Sequence, residues 1–142
     1  MAAPAQTTAC PALRVLLIED SARLGAMLSD MLNELEQVEV IAIATREEQA
    51  LGVLQENTVD VAIIDLELQQ GSGLGVLRAL RNQPGIYGLP ETLVFSNYGH
   101  DVLRLRCAAL GVRHFFDKSF QLDDLLDHVQ ALAQYHNTNP TR

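Results

Sequence analysis

The sequence predicts an α/β fold: a (βα)5 doubly wound sheet of five parallel strands. Three observations carry this. Short apolar runs alternate along the chain with segments whose apolar residues recur every three or four positions, five of each. The runs are mostly apolar rather than alternating, as strands covered on both faces must be. A length of 142 residues suits one domain and not two.

The first strand is Arg14–Ile18, RVLLI, ending in Glu19-Asp20. From Ser21, a suitable N-cap, the period changes: Leu24, Met27, Leu28, Met31, Leu32 and Leu35 form one helical stripe. Val38–Ala44, VEVIAIA, is the second strand. Thr45-Arg-Glu-Glu supplies a cap and first-turn acids for a helix reaching about Glu56. Val59–Asp65, VDVAIID, is the third strand. A loop with Gly71 and Gly73 precedes a helix from about Leu74 to Asn82. Pro84, Gly85, Gly88 and Pro90 mark a connection to the fourth strand, Thr92–Phe95. The fourth helix, Val102–Leu110, stops at Gly111, a good C′ residue. Val112–Phe116 is the fifth strand, and Leu122, Leu125, Leu126, Val129, Leu132 and Ala133 stripe the last helix. This divides the chain into a flexible leader over residues 1–12, a domain over 13–135 and a polar tail over 136–142.

Ten Lys and Arg against eighteen Asp and Glu give a net charge of −8 and a pI near 4.8. Such acidity argues against nucleic acid or an anionic membrane as a direct partner and suits a cation or a basic surface. With 48% apolar residues, the chain is not a disordered one. The leader has no basic n-region or apolar h-region, and no apolar run approaches the ~20 residues that span a bilayer. Cys10 and Cys107 make no disulfide framework, which points to free thiols in a reducing, cytoplasmic setting.

In a doubly wound sheet the ligand site lies at the carboxyl ends of the strands. There stand Glu19 and Asp20, Asp65, Ser96 and, after the fifth strand, Lys118. Carboxylates brought together repel, and a hard divalent ion such as Mg²⁺ resolves the conflict with oxygen ligands. Lys118 is the sole lysine in a chain whose other nine cationic side chains are arginines. A compact ammonium on a flexible stem suits a phosphoryl oxygen.

Four segments, LLIED (Leu16–Asp20), AIIDLEL (Ala62–Leu68), LVFSN (Leu93–Asn97) and FFDKSF (Phe115–Phe120), carry an acid pair, an aspartate, a hydroxyl and a lysine in fixed order. Together, over about Arg14 to Ala133, the chain resembles the receiver domain of bacterial response regulators, the CheY-like family. The resemblance implies the flavodoxin-like strand order 2-1-3-4-5, for which CheY is a reference case. It makes Asp65 the phosphoacceptor. It makes Glu19, Asp20, Asp65 and the backbone carbonyl of Glu67 the Mg²⁺ ligands, Glu19 mainly through a metal-bound water. Ser96 and Lys118 would contact the phosphoryl oxygens, and Ser96 and Phe115 would form the switch.

The implied function is a single-domain signalling receiver that catalyses only its own phosphorylation and dephosphorylation. A sensor histidine kinase or phosphotransfer protein would donate the phosphoryl group. The face of the fourth helix, fifth strand and last helix would then address a protein partner or relay the group onward, and would also allow a weak homodimer. The alternative is an unphosphorylated pseudo-receiver acting as an interaction module. An aspartate-nucleophile phosphatase of the haloacid-dehalogenase type is disfavoured: it needs a second acid two residues after the nucleophile and a Thr or Val two further on, where Glu67 and Gln69 stand, and a cap domain that 142 residues do not accommodate.

Four positions depart from the family pattern: Glu19 replaces the commoner aspartate, Gln69 stands where proline is common, Asn97 where a small residue is common, and Ser119 where proline follows the lysine. Without proline a cis bond costs ~3 kcal/mol, so the Lys118–Ser119 peptide should be trans, with the ammonium still reaching Asp65. The remaining features read as structural. His100, His114, His128 and His136 have no ligand spacing, Gly71-Ser72-Gly73 is no P-loop, and Arg104, Arg106 and Arg113 read as a solvated face, with a partner surface as the alternative.

Overall fold

A computed structural model describes residues 11–97 and 101–138. Most of the predicted leader, including Cys10, lies outside the described residues, as do His100 and the end of the predicted tail.

The strands are β1 (Leu13–Ile18), β2 (Val38–Ala44), β3 (Val61–Ile64), β4 (Glu91–Ser96) and β5 (His114–Asp117). The helices are α1 (Ala22–Asn33), α2 (Glu47–Glu56), α3 (Gly73–Asn82), α4 (Asp101–Ala109) and α5 (Leu122–Thr138). A single helical turn, Pro84–Tyr87, sits in the connection before β4 with proline at its start, where the missing N–H costs nothing.

All pairings are parallel and the order is β2-β1-β3-β4-β5. Alternate strand residues build two cores. Leu16, Ile18, Ala62, Ile64 and Val94 pack under α2, α3 and α4, against Leu54, Leu77 and Cys107. Val15, Leu17, Val61, Ile63, Leu93 and Phe95 face the other way, against Leu28 and Leu32 of α1 and Leu125 and Val129 of α5. This two-sided burial is why the strands read as continuous apolar runs.

Several boundaries differ from the sequence reading for identifiable reasons. The third strand begins at Val61, because the Asp60 carboxylate takes the Arg14 N–H at 2.8 Å. The fifth begins at His114 rather than Val112: the Val112 N–H closes the end of α4 on the Cys107 carbonyl at 3.0 Å, around Gly111 at φ 97°. The N-cap of α2 is Arg46, not Thr45, and no side chain caps it; instead the Gln49 amide oxygen accepts the Thr45 N–H at 3.0 Å. The last helix runs to Thr138, three residues into the predicted tail. Apolar spacing ends at Ala133, but the polar residues that follow as far as Thr138 contain no glycine or proline to break the helix.

Candidate functional site

β1 ends at Ile18 and delivers Glu19 and Asp20 to the sheet's carboxyl edge; Ser21 then caps α1, its hydroxyl accepting the Leu24 N–H at 3.2 Å. The neighbouring β3 ends at Ile64. Asp65 stays on the ladder through its backbone, donating to the Ile18 carbonyl at 2.8 Å. The β1–β3 adjacency therefore sets Glu19 and Asp65 side by side. One carboxylate oxygen each from Glu19, Asp20 and Asp65 lies within 4.8 Å of the others.

Lys118 arrives from the far side of the sheet. Its backbone N–H donates to the Ser96 carbonyl at 3.0 Å, extending the β4–β5 pairing by one residue. The loop after it is closed by Asp117, whose carboxylate accepts the Ser119 N–H at 2.7 Å and whose carbonyl accepts the Gln121 N–H at 2.9 Å. The Lys118–Ser119 peptide is trans, as expected without proline. The Lys118 Nζ reaches 2.8 Å from Glu19 Oε1 and 2.8 Å from Asp65 Oδ2.

The pocket is enclosed on one side. Glu19 is 1% exposed, Asp65 5% and Ser96 0%. Burial pushes the Glu19 carboxyl up to about 7, against the pull of Lys118. Burial also raises Asp65, offset in part by Lys118 and by the Glu67 N–H that donates to Asp65 Oδ1 at 3.1 Å. Asp20 is less enclosed; burial works against its charge, yet hydrogen bonding with Glu19 and Asp65 holds it below the usual range. Burial disfavours the Lys118 charge, but its two carboxylate partners outweigh this and raise it.

Three carboxylates facing one ammonium leave a surplus of negative charge, and the donors are hard oxygens on separate loops. That set fits Mg²⁺, which is bound through a few carboxylates and carbonyls and keeps several waters. Glu67 is exposed, on the loop that leaves Asp65.

Phe115 is half-buried on β5, paired with Val94, on the same sheet face as Val94 and Ser96. The Arg104 guanidinium of α4 lies 4.4 Å from its ring centroid. Arg104 is thus a ring contact as well as an exposed cation, while Arg106 and Arg113 are exposed. His114 and His128 are a packed pair, ring centroids 4.1 Å apart. Cys107 is a buried free thiol on α4. Among the described residues no helix is long and apolar enough to cross a membrane.

Sequence reasoning gave two residues no part in the site. Gln69 donates from its side-chain amide to the Asp20 carbonyl at 2.8 Å, joining the two acidic loops. Glu47 accepts the Ser72 N–H at 3.0 Å, inside the glycine-rich loop. The spacing Gly71-x-Gly73-x-Gly75 was the available signal: a Cβ at Gly71 or Gly75 would run into the Glu47 side chain.

Sheet order, acidic trio and enclosed lysine define a class: a doubly wound α/β domain with a carboxylate–ammonium pocket at its switch edge. The chain belongs to the response regulator receiver domain family, whose family model matches residues 15–130. It is 34% identical over 108 residues to the protein-glutamate methylesterase/protein-glutamine glutaminase of Bacillus subtilis (strain 168), covering 75% of this chain and 29% of that one. It thus spans under a third of that relative's length. Among solved structures, Vibrio cholerae chemotaxis protein CheY4 aligns at a TM-score of 0.74 with 25% identity, over 84% of this chain and 98% of that one. A chain of the CheX-CheY-BeF3-Mg²⁺ complex from Borrelia burgdorferi aligns at 0.72 with 20% identity, over 84% and 88%.

Proposed function

We propose that Asp65 accepts a phosphoryl group from a sensor histidine kinase or phosphotransfer protein, and that the modified domain signals to a protein partner or passes the group on. The single observation that supports this best is the placement of Lys118 Nζ at 2.8 Å from Asp65 in a pocket that also holds Glu19 and Asp20. A structural lysine needs one carboxylate partner; this one faces more negative charge than it can balance.

Glu19, Asp20, Asp65 and the Glu67 carbonyl would hold Mg²⁺, as the family and the acidic trio favour; the Borrelia relative was solved with BeF3 and Mg²⁺. When bound, the ion neutralises charge on the phosphoryl oxygens. The chain's residues do the rest. Lys118 favours the ionised form of Asp65 against the effect of burial, and it is the carboxylate oxygen that attacks phosphorus. The P–O bond to Asp65 forms as the P–N bond of the donor phosphohistidine breaks, and the leaving imidazole nitrogen takes up a proton. The chain catalyses only this transfer and the later hydrolysis, in which water takes the phosphoryl group as inorganic phosphate and the Asp65 carboxylate is released.

The acyl phosphate adds strong acceptors beside two donors, the Ser96 hydroxyl and Lys118. Ser96 moves toward it and vacates space on the sheet face it shares with Phe115. The ring turns into that space, and the surface of α4, β5 and α5 changes shape for its partner. The two contacts must favour the active form by a few kcal/mol to shift the population. Adding beryllofluoride and Mg²⁺ while following the Phe115 and Ser96 NMR signals tests this. Both should shift in the wild type, and Ser96→Ala should retain binding while weakening the Phe115 shift. Binding with no change at Phe115 would contradict the switch.

A further inference from the structure

We infer that Gln69 is a positioning residue for the divalent cation, a strut that fixes the Asp20 loop against the Glu67 loop; this rests on the metal reading above. Asp20 leaves β1 and Glu67 leaves β3, so the backbone between them is not shared, and nothing in the strand pairing alone sets the angle of one loop to the other. Gln69 spans that gap. Its Nε2 donates to the Asp20 carbonyl at 2.8 Å, and its backbone N–H donates to the Thr45 carbonyl at 3.0 Å. One residue thereby ties together the segments after β1, β2 and β3. Proline here would supply neither donor.

The far half of the same loop is anchored separately. The Glu47 carboxylate accepts the Ser72 N–H at 3.0 Å, and the Glu47 N–H donates to the Gln70 carbonyl at 3.0 Å. Ser72 caps α3 and forms a bridge back to Glu67. With its exit end held this way, the loop can transmit the Gln69 bond to the Glu67 carbonyl. The bond at the Asp20 carbonyl restrains the Asp20 backbone and so the direction of its carboxylate.

Mg²⁺ demands a near-ideal octahedron, so a ligand held at the wrong angle weakens binding more than it weakens the fold. Gln69 itself is exposed, where one hydrogen bond adds little to stability. These two facts separate a positioning role from a structural one.

Mg²⁺ alone is titrated by calorimetry into the wild type, Gln69→Met, Gln70→Met and Asp20→Asn, and urea stability is measured for each in EDTA. Gln69→Met keeps the backbone donor and the length but removes the amide. It should bind Mg²⁺ about three- to ten-fold more weakly, with metal-free stability close to wild type. Gln70→Met should bind as the wild type does. Equal affinity in Gln69→Met and wild type would overturn the inference, as would a loss of affinity matched by an equal loss of metal-free stability. A wild type indistinguishable from Asp20→Asn would be a different failure, that of the metal site itself.

Discussion

Glu19 and Lys118, 99 residues apart in sequence, meet at 2.8 Å inside the pocket. The pairing is unequal. Lys118 is shared with Asp65, and burial still pushes the Glu19 carboxyl up to about 7. A proton or a divalent cation would relieve the crowding of negative charge at this acidic edge.

Stability in EDTA should follow from this. The Glu19 pKa is raised on folding from an ordinary 4.5 to about 7, so its contribution is fully present below 4.5 and is lost as pH rises to about 7. Glu19→Gln removes the charge without changing the shape. It should stabilise the metal-free protein by about 1 kcal/mol at pH 7.5 and gain nothing near pH 4.5. Urea unfolding at both pH values measures it; equal effects at the two would show that Glu19 does not titrate in this window.

Much of this was legible before any coordinates. Five strands, five helices and the gathering of Glu19, Asp20, Asp65, Ser96 and Lys118 at one edge follow from periodicity and from the rule for doubly wound sheets. What stayed hidden was local. Val112 has strand character, but its N–H finishes a helix, and no propensity reports that. Gln69 and Glu47 act through backbone groups of other loops, so their roles depend on distances that a linear pattern does not carry. The final helix outran its apolar stripe because helix propagation needs only the absence of a breaker.

Two glycines should respond oppositely to alanine. A Cβ at Gly73 would collide with the Asp65 carbonyl and lie 2.8 Å from Ile64 Cγ2 and 2.9 Å from Leu66 Cα. Two of these are backbone atoms that cannot step aside, so Gly73→Ala should cost about 2–4 kcal/mol and displace Asp65. At Gly52, inside α2, nothing lies within 4 Å, and Gly52→Ala should gain about 0.5–1 kcal/mol. Denaturant midpoints decide both; a neutral Gly73→Ala would mean that the loop is looser than its packing implies.

His128 should make the β5–α5 junction acid-sensitive. Burial, and then His114 beside it, lower its pKa, while Glu91 on β4 pulls the other way. A depressed folded pKa gives stability that is present above the ordinary value of 6.5 and is lost as pH falls through the folded value. His128→Leu should therefore improve, relative to wild type, as pH drops from 7.5 to 5. Urea unfolding of both proteins across that range checks it, and a pH-independent difference would refute it.

The proposed signalling role turns on Asp65 as the phosphoacceptor, and covalent labelling probes that residue without intermediary. Incubation with acetyl phosphate and Mg²⁺, followed by intact-mass measurement, should add one phosphoryl group per chain that is stable to acid and removed by hydroxylamine. Asp65→Asn should carry none. A wild type that stays unmodified, or an Asp65→Asn protein labelled to the same extent, would contradict it.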